Sequence, residues 1–223
     1  MFDLFQSSSS SDLTQQRRRM VDDQLRARGI HNERVLAAMA KVPREEFVFP
    51  EDRGSAYDDH PLPIGSGQTI SQPYIVAAMV AELQIDPRHR LLEVGTGTGY
   101  EAAILGELAA EVWTIERQSE LADRAREILS RLGYVNVCVL HGDGTLGAPE
   151  HAPFDGILVA AAAPALPDSL LAQLAEGGRL VVPVGSRSEQ QLTVARRVGN
   201  ETLVSVHDLC RFVPLVGAHG WPI

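Results

Sequence analysis

The stretch RLLEVGTGTG, residues 90–99, is an apolar run that leads into three glycines at every second position. A helix-like segment, Tyr100 to Leu108, follows it directly. An apolar run that ends in a glycine-rich turn is typical of a buried strand followed by a helix. Because glycine tolerates positive φ and has no Cβ, such a turn lets backbone N–H groups come close to a ligand. The stretch therefore predicts a strand, a ligand-binding turn and a helix.

Two acidic residues indicate which ligand this turn accepts. The glycine spacing differs from the Gly-x-Gly-x-x-Gly of dinucleotide sites. Glu93 lies two residues before Gly95, where its charge attracts a cationic ligand and repels a phosphate. Glu116 closes the next apolar run, about twenty residues further on, where a carboxylate suits the hydroxyls of a ribose. The set resembles the S-adenosylmethionine site of the Rossmann-like methyltransferases, and the open alternative is a tight turn that binds nothing.

Strand-like and helix-like segments alternate from Leu91 onward, which is typical of a parallel sheet with crossover helices. The best-marked helix begins at Ser119 and ends at Leu132, before the stop residue Gly133. Strands are predicted at Arg90–Val94, Glu111–Ile115, Val135–Leu140, Phe154–Val159 and Arg179–Val184.

The N-terminal part of the chain is predicted to lead into this sheet with helices. Residues 1–11 contain an uninterrupted run of five serines and are expected to form a flexible tail. Asp12 and Asn32 are candidate N-caps of two amphipathic helices. One methyltransferase domain is expected over residues 12–223.

The C-terminal part is predicted to end the sheet with antiparallel strands. Residues 191–197 and 202–206 flank a glycine-containing turn and read as a hairpin, and a last edge strand is predicted over 209–215. The fold class is therefore α/β. It is a Rossmann-like, mostly parallel, doubly wound sheet with an N-terminal helical lead-in and a C-terminal antiparallel hairpin.

Composition excludes several classes of function. The net charge is -9 and the pI about 5.2, so no overall field attracts a polyanion, and no nucleic-acid partner is expected. Cys138 and Cys210 lack metal-ligand spacing, which predicts no metal site and a reducing compartment, and Cys138 reads as a small core residue. No apolar run reaches about 18 residues, so no membrane association is expected. The expectation is a monomeric cytoplasmic enzyme.

Two polar segments are candidates for further ligand contacts. Thr69 and Ser71 end a long polar connection and precede a predicted helix, where hydroxyl groups are well placed to receive an anion. The alternative is that Ser71 only caps this helix. Asp143, between Gly142 and Gly144, follows the third predicted strand at the ligand edge of an open α/β sheet. It suits an adenine amine, and the equal alternative is a turn-capping aspartate.

Taken together, these motifs resemble those of the protein-L-isoaspartate O-methyltransferase family. The most specific part is the segment PLPIGSGQTISQPY. The similar segments are PLPIGSGQTISQPY (61–74), LEVGTGTGY (92–100), GDG (142–144), FD (154–155), AAAP (161–164) and RFVPL (211–215).

This resemblance implies a reaction and roles for individual residues. The S-adenosylmethionine methyl group would pass to the free α-carboxylate of an L-isoaspartyl residue in damaged proteins and peptides. The methyl ester would then collapse to a succinimide, whose hydrolysis partly restores aspartate. Thr69 and Ser71 would hold the substrate carboxylate, and Ser71 matches the residue usually assigned as active. The cofactor contacts would be Gly95, Gly97 and Gly99 for the methionine portion, Glu116 for the ribose and Asp143 for the adenine. Glu93 and Gly144 are also expected to bind the cofactor.

Three other functions stay open at this point. The first is a methyltransferase that acts on a small molecule or on RNA, and the acidic balance argues against RNA. The second is an S-adenosylmethionine-binding module without turnover, and the intact hydroxyl and carboxylate residues argue against it. The third is a nicotinamide dehydrogenase, for which the glycine spacing is wrong.

Overall fold

Nine strands form two sheets in the computed structural model, which describes residues 12–222. The smaller sheet is an antiparallel pair, β1 (Leu62–Gly65) and β2 (Gln68–Ile70). The seven strands of the central sheet are β3 (Arg90–Val94), β4 (Glu111–Glu116), β5 (Val137–His141), β6 (Phe154–Val159), β7 (Leu174–Gly185), β8 (Gln190–Val198) and β9 (Glu201–Cys210).

The central sheet has the order β5-β4-β3-β6-β7-β8-β9. The strands from β5 to β7 are parallel to one another, whereas β8 is antiparallel to both β7 and β9. The predicted α/β fold with its C-terminal hairpin is thereby confirmed. Because the strand order reverses beside β3, a crevice opens at the carboxyl ends of β3, β4 and β6.

Six α-helices accompany the strands in the described part of the chain. The first, α1 (12–19), continues through a π-helical turn and a 3-10 turn to Arg28, and Gly29 ends it with a φ of +95°. The side chain of Asn32 accepts from Arg34 N and Val35 N, which confirms it as an N-cap. The other helices are α2 (Glu33–Lys41), α3 (Pro73–Glu82), α4 (Tyr100–Leu108), α5 (Ser119–Arg131) and α6 (Asp168–Leu171).

Both faces of the central sheet are buried at β3. Successive residues of β3 point to opposite faces, so Leu91 joins the core that contains α2, α3, α4 and α5. Its neighbour Leu92 joins the core on the other face, which contains Leu170 of α6 and Leu215. Burial on both sides explains why β3 reads as a continuous apolar run rather than as an alternating one.

Some sequence-based expectations about these elements are wrong. Cys138 is exposed, because β5 is an edge strand and this side chain faces away from the helices. The strand predicted over 209–215 does not form: β9 ends at Cys210. The chain then turns toward Ala162, whose N donates to Val213 O and whose O accepts from Leu215 N. The predicted tail, residues 1–11, lies outside the described residues.

None of the helices in residues 12–222 combines the length and the apolar character that a bilayer crossing requires.

Candidate active site

The glycine turn between β3 and α4 forms the floor of a cavity. Gly95 and Gly97 have φ angles of +98° and +55°, which side chains rarely allow. A Cβ on Gly97 would lie 3.0 Å from Ile64 Cδ1 of β1. The turn is held in place because Gly95 N donates to Ile115 O over 2.9 Å. Glycine is therefore required at positions 95 and 97 for the backbone to reach the cavity wall.

This glycine-turn cavity gathers most of the residues that the motifs single out. Thr69 and Ser71 line it from the segment before α3, and residues 213–216 close it from the C-terminal side. The predicted site residues on its wall are Thr69, Ser71, Gly95, Gly97, Glu116 and Gly144.

Glu116 is fixed at the end of β4 by the backbone around it. Its Oε2 accepts from Gly97 N over 2.9 Å, and its Oε1 accepts from Gln118 N over 2.9 Å. The side chain is buried yet lies on the cavity wall. A carboxylate with both oxygens oriented by backbone N–H groups has lone pairs left for the hydroxyls of a ligand.

Glu93 lies behind the glycine turn and not on the cavity wall. It is fully buried, its Oε2 accepts from the Thr114 hydroxyl, and the Thr96 hydroxyl lies 2.5 Å from that of Thr114. Burial raises the pKa of Glu93 well above its ordinary value, and the nearby Glu101 raises it further. Glu93 therefore supports the turn from behind, and its assignment to the cofactor site stays a prediction.

Glu101 is a cavity residue that the motifs did not reveal. It lies in the first turn of α4, lines the cavity and is buried. Its Oε1 has no hydrogen-bond partner among residues 12–222, and neither has Glu93 Oε1. Burial raises the pKa of Glu101 to about 8. An acidic residue in a first helical turn reads as ordinary helix stabilisation, so only its position two residues after Gly99 could have pointed to it.

We expect that replacing Glu101 by glutamine raises the melting temperature of the ligand-free protein at pH 8 by about 5 °C. Between pH 5 and pH 8 the unfolded carboxyl is ionised, whereas the folded one keeps its proton up to a pKa of about 8. Raising the pH through this window therefore lowers the stability of the folded state. Melting temperatures recorded between pH 5 and pH 8 give the slope of stability against pH.

The matched control for this experiment is Glu127→Gln, which removes an exposed carboxylate of α5. This variant should keep the pH dependence of the parent protein. An unchanged slope in Glu101→Gln would contradict the assignment of a buried, protonated Glu101. Part of the slope should remain in any case, because the buried Glu93 titrates in the same sense.

Asp143 and Gly99 do not lie on the cavity wall either. Asp143 Oδ1 accepts from Thr145 N over 2.9 Å, and its Oδ2 accepts from Ala218 N over 2.8 Å. These hydrogen bonds lower the pKa of Asp143 against the opposing effect of burial. Asp143 thus ties the C-terminal segment to the end of β5, as a turn-capping residue would. Gly99 precedes α4, where a Cβ would lie 3.1 Å from Leu129 Cδ1 of α5.

Thr69 and Ser71 lie where two cavities meet. Both residues also line a second cavity, whose other wall consists of Arg187, Arg211 and the segment 212–214. Thr69 is exposed and Ser71 is half-buried. Ser71 is not the helix cap that the alternative reading proposed, because Gln72 holds that position in α3. The two residues therefore border the space of both cavities.

Comparison with known proteins identifies the family. A profile of the protein-L-isoaspartate(D-aspartate) O-methyltransferase family matches residues 15–220. The chain belongs to this family. The match spans nearly all of the described residues and confirms the resemblance seen in the motifs.

Full-length relatives and solved structures agree with this membership. A protein-L-isoaspartate O-methyltransferase from Koribacter versatilis is 57% identical over 217 residues, which cover 96% of this chain and 98% of the relative. A solved protein-L-isoaspartate O-methyltransferase is 29% identical, with a TM-score of 0.81 over 91% of this chain and 67% of the other. A structure from Plasmodium falciparum in complex with S-adenosyl-L-homocysteine is 26% identical, with a TM-score of 0.79 over 90% of this chain and 98% of the other.

Proposed function

We propose that this protein transfers the methyl group of S-adenosylmethionine to the free α-carboxylate of L-isoaspartyl residues in damaged proteins and peptides. The observation that carries this proposal is the position of Thr69 and Ser71 at the junction of two cavities. One cavity has the glycine turn and carboxylates that suit a cationic nucleoside. The other opens toward solvent beside the two hydroxyls and suits a peptide.

The glycine-turn cavity fits S-adenosylmethionine by charge. The cofactor carries a sulfonium and an ammonium group, and a cation bound beside Glu101 would favour the ionised form of this carboxyl group. Glu101 on the cavity wall has an oxygen without a partner in the described residues, and so has Glu93 behind the turn. Gly95 and Gly97 would approach the methionine portion, Glu116 would accept from the ribose hydroxyls, and Gly144 would border the adenine. When bound, the cofactor supplies an electrophilic methyl group.

The substrate side needs positioning and no general base. A carboxylate with a pKa near 4 is already ionised at neutral pH, so no side chain has to remove a proton from it. Thr69 and Ser71 would each donate a hydrogen bond to one carboxylate and orient the attacking oxygen. Holding reacting groups in place contributes roughly 7 to 11 kcal/mol in favourable cases. Hydroxyls suit this role because they orient the carboxylate without neutralising it.

The proposal also covers the domain organisation, the oligomeric state and the location of the protein. We propose one methyltransferase domain over residues 12–223 that works as a monomer in the cytoplasm. The thiols of Cys138 and Cys210 are free, as in a reducing compartment. The methyl ester product would collapse to a succinimide, and its hydrolysis would return part of the material to aspartate.

Transfer of labelled methyl to a short peptide with one L-isoaspartyl residue tests the proposal directly. We expect base-labile label on this peptide and none on the same peptide with normal aspartate, because only the linkage differs. Absence of transfer to both peptides, with S-adenosylmethionine still bound in calorimetry, would reject the activity and point to another acceptor or to a binding module.

A further inference from the structure

The second cavity is positively charged in a protein whose net charge is -9. Among its described lining residues the only charged ones are Arg187 and Arg211. Thr69 and Ser71 line the same cavity. The cavity is therefore a local site for anions on an otherwise acidic protein, directly beside the hydroxyls assigned to the reacting carboxylate.

Arg187 is held in place by the C-terminal segment. Its guanidinium carbon lies 5.1 Å from the centre of the Trp221 ring, and its Nη2 donates to Pro222 O over 3.4 Å. A guanidinium that stacks on an indole ring keeps its remaining N–H donors in a fixed plane. Arg187 can thus present donors to a ligand with a small loss of side-chain entropy.

Arg211 forms no ion pair with any residue in the described range 12–222. It lines the second cavity and also a wider groove between α3 and β9. A peptide that leaves the second cavity along this groove would pass its guanidinium. The groove is lined by residues of both charges, among them Glu82, Asp208 and Arg28. It therefore does not favour anions, and the second cavity is the part that would select an anionic group.

We propose that Arg187 and Arg211 form a subsite for a second carboxylate, that of an acidic side chain next to the isoaspartyl residue in the same peptide. This inference rests on the proposed function and names the substrate class that the enzyme prefers. Guanidinium groups bind carboxylates through two parallel hydrogen bonds, which makes Arg suited to reading such a side chain.

The reacting carboxylate is a poorer partner for these two arginines. A guanidinium bound to it would stabilise the ground state and weaken the attacking oxygen, because catalysis requires contacts that strengthen toward the transition state. Hydroxyl donors from Thr69 and Ser71 avoid this loss. The arginines therefore act on substrate selection and the hydroxyls on the reaction.

Three isoaspartyl hexapeptides with blocked termini test the subsite. One is otherwise neutral, one has glutamate before the isoaspartyl residue, and one has glutamate after it. We expect the parent enzyme to prefer one acidic peptide over the neutral one by about fivefold in kcat/KM, mainly through KM. The preference should shrink in 0.5 M salt, where surface charges are screened within about 4 Å.

Substitution of the arginines identifies the groups responsible. In Arg211→Gln and in Arg187→Gln the ratio of acidic to neutral kcat/KM should fall toward one. Arg18→Gln, which removes an exposed arginine of α1 that lines neither cavity, should keep the parent ratio. Melting temperatures of all variants check that each is folded.

Two results would overturn the subsite. One is a parent enzyme without preference for either acidic peptide. The other is an Arg211→Gln variant that loses the same factor on neutral and acidic peptides, since this would place the arginine on the reacting carboxylate. Failure of the proposed function looks different, because then none of the three isoaspartyl peptides would accept a methyl group.

Discussion

Replacing Ser71 by alanine is expected to lower kcat for an isoaspartyl peptide by about 10- to 100-fold, with the dissociation constant of the cofactor nearly unchanged. A hydrogen bond to a charged group contributes about 1.5 to 3 kcal/mol, which corresponds to this range of rates. Ser71 borders both cavities, and its assigned partner is the substrate carboxylate and not the cofactor. Steady-state kinetics at saturating cofactor measure the first quantity, and calorimetry without peptide measures the second.

The control for this variant is Ser130→Ala, which removes an exposed hydroxyl of α5 that lines neither cavity. It should behave as the parent enzyme. Thr69→Val is expected to act in the same direction as Ser71→Ala, because Thr69 occupies the same junction. Equal losses of turnover and of cofactor affinity in Ser71→Ala would place Ser71 on the cofactor and reject its assigned role.

Replacing Glu116 by glutamine is expected to weaken cofactor binding by roughly 10- to 100-fold. The amide nitrogen of glutamine cannot accept the hydrogen bond that Gly97 N or Gln118 N now donates to the carboxylate. One backbone N–H at the cavity wall would lose its partner, which would loosen the backbone around the glycine turn. The neutral side chain would also attract the cationic cofactor less. Calorimetric titration with S-adenosylmethionine at pH 7 gives the dissociation constant.

Glu127→Gln, again on the exposed face of α5, is the matched control and should bind as the parent does. At saturating cofactor the Glu116→Gln variant should recover most of its turnover, since Glu116 is assigned to the ribose and not to the reacting groups. An unchanged dissociation constant would show that the carboxylate only holds the turn.

The parts of the fold that follow from local sequence were predictable. The predicted bounds of β3, α4 and β6 agree with the structure, since each is an apolar segment bounded by residues that end an element. The cap at Asn32 was likewise readable from its own neighbours. Expectations of this kind depend on interactions within a few residues.

The parts that depend on distant contacts were not predictable. The sequence around Cys138 shows a strand but not that the strand is the sheet edge, which decides whether its side chains are covered. The contact of Asp143 with Ala218 joins residues 75 positions apart, and nothing near Asp143 indicates it. The positions of Glu101, Arg187 and Arg211 on the cavity walls also depend on residues distant in the chain, so their own neighbours in the sequence do not indicate them. The catalytic role of Ser71 stays a prediction.

The wall formed by residues 213–216 has a consequence for how the protein is made. All other parts of the glycine-turn cavity precede this segment in the chain, so a ribosome has synthesised them before the wall exists. We therefore expect the incomplete chain to bind cofactor more weakly than the finished protein, so that mass action stabilises the sheet less at that stage. We expect the sheet to fold mainly on its own apolar contacts, and the cofactor to add its full stabilisation only after Val213 and Leu215 have hydrogen-bonded to Ala162.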